Sequence, residues 1–245
     1  MKKNLFVALI FSVFSMPSAL AGVIYIDDLA GYGVSNPLVV DSLQSDDDIF
    51  LLEEQQNHLL TEDLVVEQLI SSPGSLGLDF NSAHNSIVAA GTTISSFLFH
   101  YDAVTASSTG TSWTRDLAGS FTFDTEIIAV IWSGPLFESQ GVEWDLLGKS
   151  DYLAGSQMYF PDGALIGDDR AGIGRGLEPQ SAVSANDTKD DFIISADLKT
   201  INVNFKVMPE YADQLRVITA AKIPEPTAIL LFGTALCLFG FRRFS

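Results

Sequence analysis

Short apolar segments with the period of a β-strand, separated by turn-forming residues, constrain this 245-residue chain more than any other feature. In residues 201–207 apolar and polar side chains alternate without a break, which is the period of a half-buried strand. In residues 97–102 the aromatic side chains share one face, and Leu98, His100 and Asp102 share the other. Further strands are predicted at residues 23–26, 49–54, 64–66, 121–123, 127–132, 191–195 and 215–219.

The connections between these segments are rich in Gly, Ser, Asn, Asp and Pro, which form turns. Many short strands separated by turns predict an all-β sandwich or barrel, and we expect an antiparallel two-sheet β-sandwich of jelly-roll type over residues 22–221. One or two helical turns are predicted near residues 142–147. Since the single cysteine, Cys237, lies near the C-terminus, no disulfide within the domain is expected and burial must hold the core.

The first 21 residues have the layout of a secretory signal peptide. Lys2 and Lys3 precede a nearly unbroken apolar run at residues 5–14, and small residues follow. A retained membrane helix is the alternative, but the run is shorter than the roughly 20 apolar residues that a span needs. We therefore expect signal peptidase to remove residues 1–21 and the remainder to be exported. The residues that define the cleavage site are Ala19, Ala21 and Gly22.

Residues 222–245 contain three zones in a fixed order. A Pro-Glu-Pro motif comes first, an uncharged hydrophobic segment follows at residues 227–241, and two arginines lie close to the end. As a helix this segment is about 22 Å long at about 1.5 Å per residue. It is shorter than a hydrocarbon core of about 30 Å, so it would span only with local thinning or with the arginines reaching the surface. The residues of the outer zones are Pro224, Glu225, Pro226, Arg242 and Arg243.

The order of these zones at the terminus resembles a PEP-CTERM sorting signal. The resemblance implies that exosortase, a membrane protease-transpeptidase, recognises the tail and cuts it near the Pro-Glu-Pro motif, in a Gram-negative bacterium that makes exopolysaccharide. An ordinary tail anchor is the alternative. The positive-inside bias places the arginines in the cytoplasm. We therefore expect an inner-membrane intermediate, followed by a form at the cell surface or outside the cell.

Five segments of the central part carry a second resemblance. In order along the chain they are residues 49–57, 59–66, 97–102, 119–124 and 213–220. Together they resemble an uncharacterised extracellular domain found directly ahead of PEP-CTERM tails, over residues 45–221. The resemblance implies a secreted β-rich domain and supplies no activity and no site residues.

The acidic composition limits the partners of this domain. The chain has 31 acidic and 13 basic side chains and a formal net charge of −18. Such a surface repels phosphate backbones, which argues against nucleic acid and favours solubility or cation binding. Loops of Asp and Asn can supply the six to eight oxygen ligands that calcium takes, although no segment has EF-hand spacing. A solvated acidic loop is the alternative. The candidate calcium ligands are Asp168, Asp169, Asp187 and Asp190.

Three tryptophans lie close together in the chain. Trp113 is surrounded by Thr and Ser, which predicts exposure and makes it a candidate for stacking on a sugar ring. Trp132 ends an apolar strand, so core packing is the better interpretation. The residues around Trp144 indicate neither exposure nor core packing.

Catalytic motifs are weak in this sequence. It has no GxSxG elbow and no SxxK set, and Glu143 with Asp145 has only the residue types of a glycosidase pair. The three histidines, His58, His84 and His100, lack zinc-site spacing, and His100 is expected to be a packed or rim residue. We therefore expect no enzyme and no obligatory cofactor. The sequence favours a non-enzymatic exported surface or extracellular-matrix protein linked to exopolysaccharide or biofilm. A carbohydrate-binding module, with or without calcium, is the first alternative, and a secreted hydrolase is the second.

Overall fold

The secondary structure is almost entirely β. A computed structural model describes residues 23–27, 43–71, 74–75, 86–104, 115–133, 146–154, 175–177, 190–207 and 212–222. The strands in these ranges are β1 (Val23–Ile26), β2 (Ile49–Leu59), β3 (Leu64–Val66), β4 (Gln68–Leu69), β5 (Gly74–Ser75), β6 (Ser86–Val88), β7 (Thr93–Tyr101), β8 (Arg115–Thr122), β9 (Ile127–Ile131), β10 (Arg175–Gly176), β11 (Asp191–Ile194), β12 (Thr200–Val207) and β13 (Ala212–Ala220). The helices are α1 (Leu146–Lys149) and a 3-10 turn at Asp151–Ala154.

The largest sheet has seven strands and occupies the middle of the molecule. Its order is β1-β2-β7-β13-β9-β4, and β10 pairs with the start of β13. Most pairs are antiparallel, and Phe50, His100 and Gln214 lie side by side across three strands. The β1–β2 and β10–β13 pairs are parallel, which differs from the purely antiparallel expectation. The chain can pair these strands in parallel because residues 27–48 and 177–211 supply the long connections that parallel pairing requires.

Two smaller sheets flank the large one. A four-stranded antiparallel sheet has the order β5-β11-β12-β8, and β3 pairs with β6 in a two-stranded sheet. The four-stranded sheet and the large sheet contribute to one buried apolar cluster, which includes Leu51, Phe99, Phe205 and Val217. We call it the inner core. The opposite face of the large sheet contributes to a second cluster, the outer core, with the two-stranded sheet and both helical segments.

The period-2 pattern correctly predicted which side chains share a face. Phe97, Phe99 and Tyr101 lie in the inner core, whereas Leu98 lies in the outer core. In β12 the inner-core residues Ile201 and Phe205 are buried, and β12 also carries the exposed Asn202, as expected for a half-buried strand. The all-β prediction is therefore confirmed. The predicted strands coincide or overlap with observed ones, but β4, β5, β6 and β10 were not predicted, and β8 begins at Arg115 rather than at Phe121.

The close approach of β1 to the four-stranded sheet depends on a glycine. A Cβ atom at Gly119 of β8 would lie 2.5 Å from Val23 Cγ2 and 3.2 Å from Ile49 Cδ1. Because Cβ atoms essentially never approach this closely, only glycine at this position leaves room for β1. The edge strand of the large sheet thus packs directly over β8, and the two sheets meet at this edge.

The predicted helical turn is observed in part. Helix α1 begins at Leu146, inside the predicted range, while residues 142–145 lie outside the described part of the chain. Within the described ranges, no helix is long and apolar enough to cross a membrane. The predicted signal peptide and the hydrophobic segment at 227–241 lie outside those ranges.

Candidate functional site

Most of the predicted site residues lie outside the described part of the chain. Asp190 is described, and it is buried directly before β11. The described residues contain no group of three or more His, Cys, Asp or Glu side chains placed to hold a metal ion. Calcium binding therefore stays a prediction. The predicted residues outside the described ranges are Ala19, Ala21, Gly22, Trp113, Asp168, Asp169, Asp187, Pro224, Glu225, Pro226, Arg242 and Arg243.

Two described aromatic residues lie in the interior. Trp132 is buried, and its ring packs against Phe192 with the ring centroids 5.9 Å apart, so the prediction of core packing is confirmed. His100 is also buried, and its Nδ1 lies 3.0 Å from Gln214 Nε2 on the neighbouring strand. His100 is thus a packed residue of the large sheet, which is one of the two environments expected for it.

A buried ion pair crosses the outer face of the large sheet. Arg216 of β13 is completely buried, and its Nη2 lies 2.8 Å from Glu54 Oε1 and 2.9 Å from Asp151 Oδ1. Its Nη1 donates hydrogen bonds to the Leu147 carbonyl oxygen and to Ser150 Oγ. Burial disfavours the charged guanidinium, but the two carboxylates outweigh that effect and raise the pKa of Arg216 above its ordinary value. This network joins β2, β13 and the helical segments, so its role is structural.

A second buried carboxyl group is held by the backbone. Glu67 lies between β3 and β4, and the backbone N–H groups of Trp132 and Ser133 donate hydrogen bonds to its Oε2 and Oε1 at 3.1 and 2.7 Å. Burial raises the pKa of Glu67 to about 7, although these hydrogen bonds oppose the shift. Glu67 therefore fixes the end of β9.

A cavity opens where the edge of the large sheet meets the edge of the four-stranded sheet. Its volume is about 280 Å³. One wall comes from β1, β2 and β7 of the large sheet, and the other comes from the end of β8 and the turn that follows it. We call it the edge groove. Its lining residues are Tyr25, Glu53, Gln56, Ser95, Phe97, Phe121, Thr122, Phe123, Asp124, Thr125, Thr219 and Lys222.

Four aromatic rings form a continuous series in the edge groove. The rings of Tyr25 and Phe121 are stacked, with centroids 5.5 Å apart and planes 20° from parallel. Phe121 packs against Phe123 at 5.0 Å, and Phe123 packs against Phe97 at 4.7 Å. Phe97 and Phe123 are buried in the inner core, Phe121 is partly buried, and Tyr25 is 42% exposed. The series therefore leads from the inner core to solvent.

Polar groups line the same cavity. The Tyr25 hydroxyl donates a hydrogen bond to the Glu53 carboxylate, which fixes the orientation of the ring. Partial burial raises the pKa of Glu53. Near the end of β13, Lys222 Nζ forms an exposed ion pair with Asp124 Oδ2 at 2.7 Å. Aromatic faces beside hydrogen-bonding groups suit a ligand that has both an apolar face and hydroxyl groups.

The sequence patterns around the three tryptophans gave no indication of this groove. Tyr25 lies in a short apolar strand, for which local patterning predicts burial, and it is far from Phe121 along the chain. One usable signal was the alternation of Phe121 and Phe123, which places two aromatic side chains on one face at the end of a strand.

Fold and groove together define an all-β protein with a small aromatic-lined cavity at one sheet edge. No family model, curated protein or solved structure matches the chain. The interpretation of the groove therefore rests on its own geometry.

Proposed function

We propose that this chain is a non-enzymatic exported surface or extracellular-matrix protein, sorted by exosortase and linked to exopolysaccharide or biofilm. The observation that carries the proposal is the order of the three C-terminal zones, from Pro224 to Arg243, in a chain that begins with the layout of a signal peptide. The all-β domain between the two ends agrees with the secreted domain that the second resemblance implies.

The architecture that we propose for this domain is a β-sandwich of jelly-roll type. The observation in its support is the inner core, to which the seven-stranded and the four-stranded sheet both contribute. The two-stranded sheet and the helical segments form an additional layer on the outer face. The two parallel strand pairs are departures from a purely antiparallel sandwich.

Mass spectrometry of the protein isolated from its own cells tests the sorting proposal. The expected mature form begins at Gly22 and ends near Glu225, either free or conjugated to another component. A surface-located form that retains Met1 or extends intact to Ser245 would overturn the proposal. A variant with Pro224→Ala and Pro226→Ala should keep its tail. Pro179→Ala, which alters the Glu-Pro pair at residues 178–179, should be processed normally and serves as the matched control.

Carbohydrate binding is the second candidate function, and the edge groove favours it because aromatic faces and hydrogen-bonding side chains converge there. Calcium assistance remains part of this candidate through Asp168, Asp169, Asp187 and Asp190. A ligand that binds only the folded state raises the melting temperature. A melting temperature that neither calcium nor a chelator changes would remove calcium from the proposal.

A further inference from the structure

We propose that the edge groove is a binding site for one ring of a neutral polysaccharide, with Tyr25 as the stacking surface, Phe121 as its support and Glu53 as a hydrogen-bond partner. The inference rests on the second candidate function, carbohydrate binding. It assigns that function a site other than Trp113 and names the class of ligand.

The aromatic residues supply the surface that a sugar ring requires. A pyranose ring has an apolar face of C–H groups and a rim of hydroxyl groups, so it stacks on an accessible aromatic face. Tyr25 presents such a face because 42% of the residue is exposed, although its neighbour Ile26 is buried. Its near-parallel packing against Phe121 supports the ring from behind. The stacking surface is therefore present before a ligand binds.

The polar residues supply partners for the rim of the ring. The Glu53 carboxylate accepts the hydrogen bond from Tyr25 and has further lone pairs that can accept from sugar hydroxyl groups. Gln56 is exposed in the same groove, and its amide can both donate and accept. Glu53, Gln56 and Ser95 together give the groove a polar wall, which suits a polar ligand.

Size and charge narrow the class of ligand. The volume of about 280 Å³ lies just under the range of roughly 300–1,000 Å³ that is typical of small-molecule sites, so the groove suits one ring and not a long segment. The rest of a polysaccharide would continue past the exposed Asp124 and Lys222. Glu53 in the groove and the net charge of −18 repel uronic acids. The ligand is therefore a neutral glycan.

Affinity electrophoresis of the full-length chain in mild detergent tests the proposal. The gels would contain hydroxyethylcellulose, laminarin, xylan or galactomannan as neutral polysaccharides, and alginate as an acidic one. We expect retardation by at least one neutral polysaccharide and none by alginate. Tyr25→Ala should weaken binding about tenfold, because it removes the stacking surface. Tyr152→Ala is the matched control, since Tyr152 is 43% exposed and lies on the 3-10 turn outside the groove.

Melting temperatures would show whether each variant is folded. Gln56→Leu is the second variant, because its exposed side chain can be replaced without disturbing the core, and it should also weaken binding. The proposal is overturned if no neutral polysaccharide retards the protein, if both groove variants bind like wild type, or if Tyr152→Ala loses as much affinity as Tyr25→Ala. Loss of binding in Trp113→Ala alone would also overturn it while leaving carbohydrate binding intact. Sorting is measured separately by the mass of the mature protein, so the two proposals can fail independently.

Discussion

The two faces of the large sheet are built from adjacent residues of the same strands but bury different chemistry. On the inner face, Leu51 and Val217 meet the apolar side chains of a second extensive sheet. On the outer face, Leu52 also lies in an apolar cluster, but the completely buried Arg216 binds Glu54 there. The layer that covers a sheet face therefore decides what that face can bury.

The outer covering consists of short segments, and short segments end in unpaired backbone groups. The last carbonyl groups of a helix have no partner within the helix. Arg216 donates to the Leu147 carbonyl oxygen, which also accepts hydrogen bonds from the backbone N–H and hydroxyl groups of Ser150, and to the Asp151 carboxylate on the next turn. In the four-stranded sheet, by contrast, β12 pairs with β11 and β8 through regular antiparallel registers. The buried guanidinium therefore ties the large sheet to the irregular segments on its outer face.

Replacing Arg216 tests whether the buried ion pair stabilises the outer face of the large sheet. Arg216→Met leaves Glu54 buried with no cation, and it should lower the free energy of unfolding by about 3–5 kcal/mol, the usual cost of breaking a buried pair. Urea denaturation measures the change. Adding Glu54→Leu should restore most of the lost stability, because the uncompensated charge is then removed. A double variant no more stable than the single one would show that the ion pair is not the reason for the loss.

A matched pair of leucines tests whether the two coverings of the large sheet differ in rigidity. Leu51 and Leu52 are adjacent and both completely buried, one in each core. Each substitution to Ala should cost about 2–5 kcal/mol. Leu51→Ala should cost more, since two sheets cannot close around the cavity as readily as short segments can. Urea denaturation of both variants checks the order, and equal losses would mean that the two coverings are equally rigid.

Whereas a cation holds Glu54, Glu67 is a buried acid that backbone N–H groups hold. Its pKa of about 7 in the folded state is above its unfolded value of 4.5, so between these pH values the folded state retains a proton that the unfolded state releases. The contribution of Glu67 to the free energy of unfolding should therefore be greatest below pH 4.5. It should fall as the pH rises to about 7 and level off above that pH. The loss should be about 3 kcal/mol at about 1.36 kcal/mol per pH unit.

Denaturation midpoints measured across this pH range test the contribution of Glu67. Glu67→Gln keeps one acceptor oxygen for the two N–H groups but does not titrate, so this variant should lack the decline between pH 4.5 and 7. An unchanged slope in Glu67→Gln would assign the decline to other groups.

The alternation of apolar and polar residues predicted the longer strands because successive side chains of a strand point to opposite faces with the same two-residue period. The alternation in residues 201–207 specifies both the strand and its buried face, and the covering sheet merely completes it. The burial of Arg216 could not be predicted in this way, because its partner Glu54 lies 162 residues away in the sequence. The edge groove could not be predicted either, because it exists only where β1 meets the end of β8. Tertiary structure determines which strands pair and which layer covers a sheet face. The residue pattern within one segment carries no information about either.

The first and last strands that the structure describes, β1 and β13, have registers that determine where the two ends of the domain lie. Val23 pairs with Ile49, near the Tyr101 end of β7, whereas Ala220 pairs with Ile94 near its opposite end. These ends are about 23 Å apart at about 3.3 Å per residue. If the chain is held through the residues after Lys222, the Val23 end of the domain would lie on the side away from that attachment. The edge groove, which includes Lys222, would then lie at the foot. A glycan bound there would therefore lie between the domain and the surface to which the chain is attached.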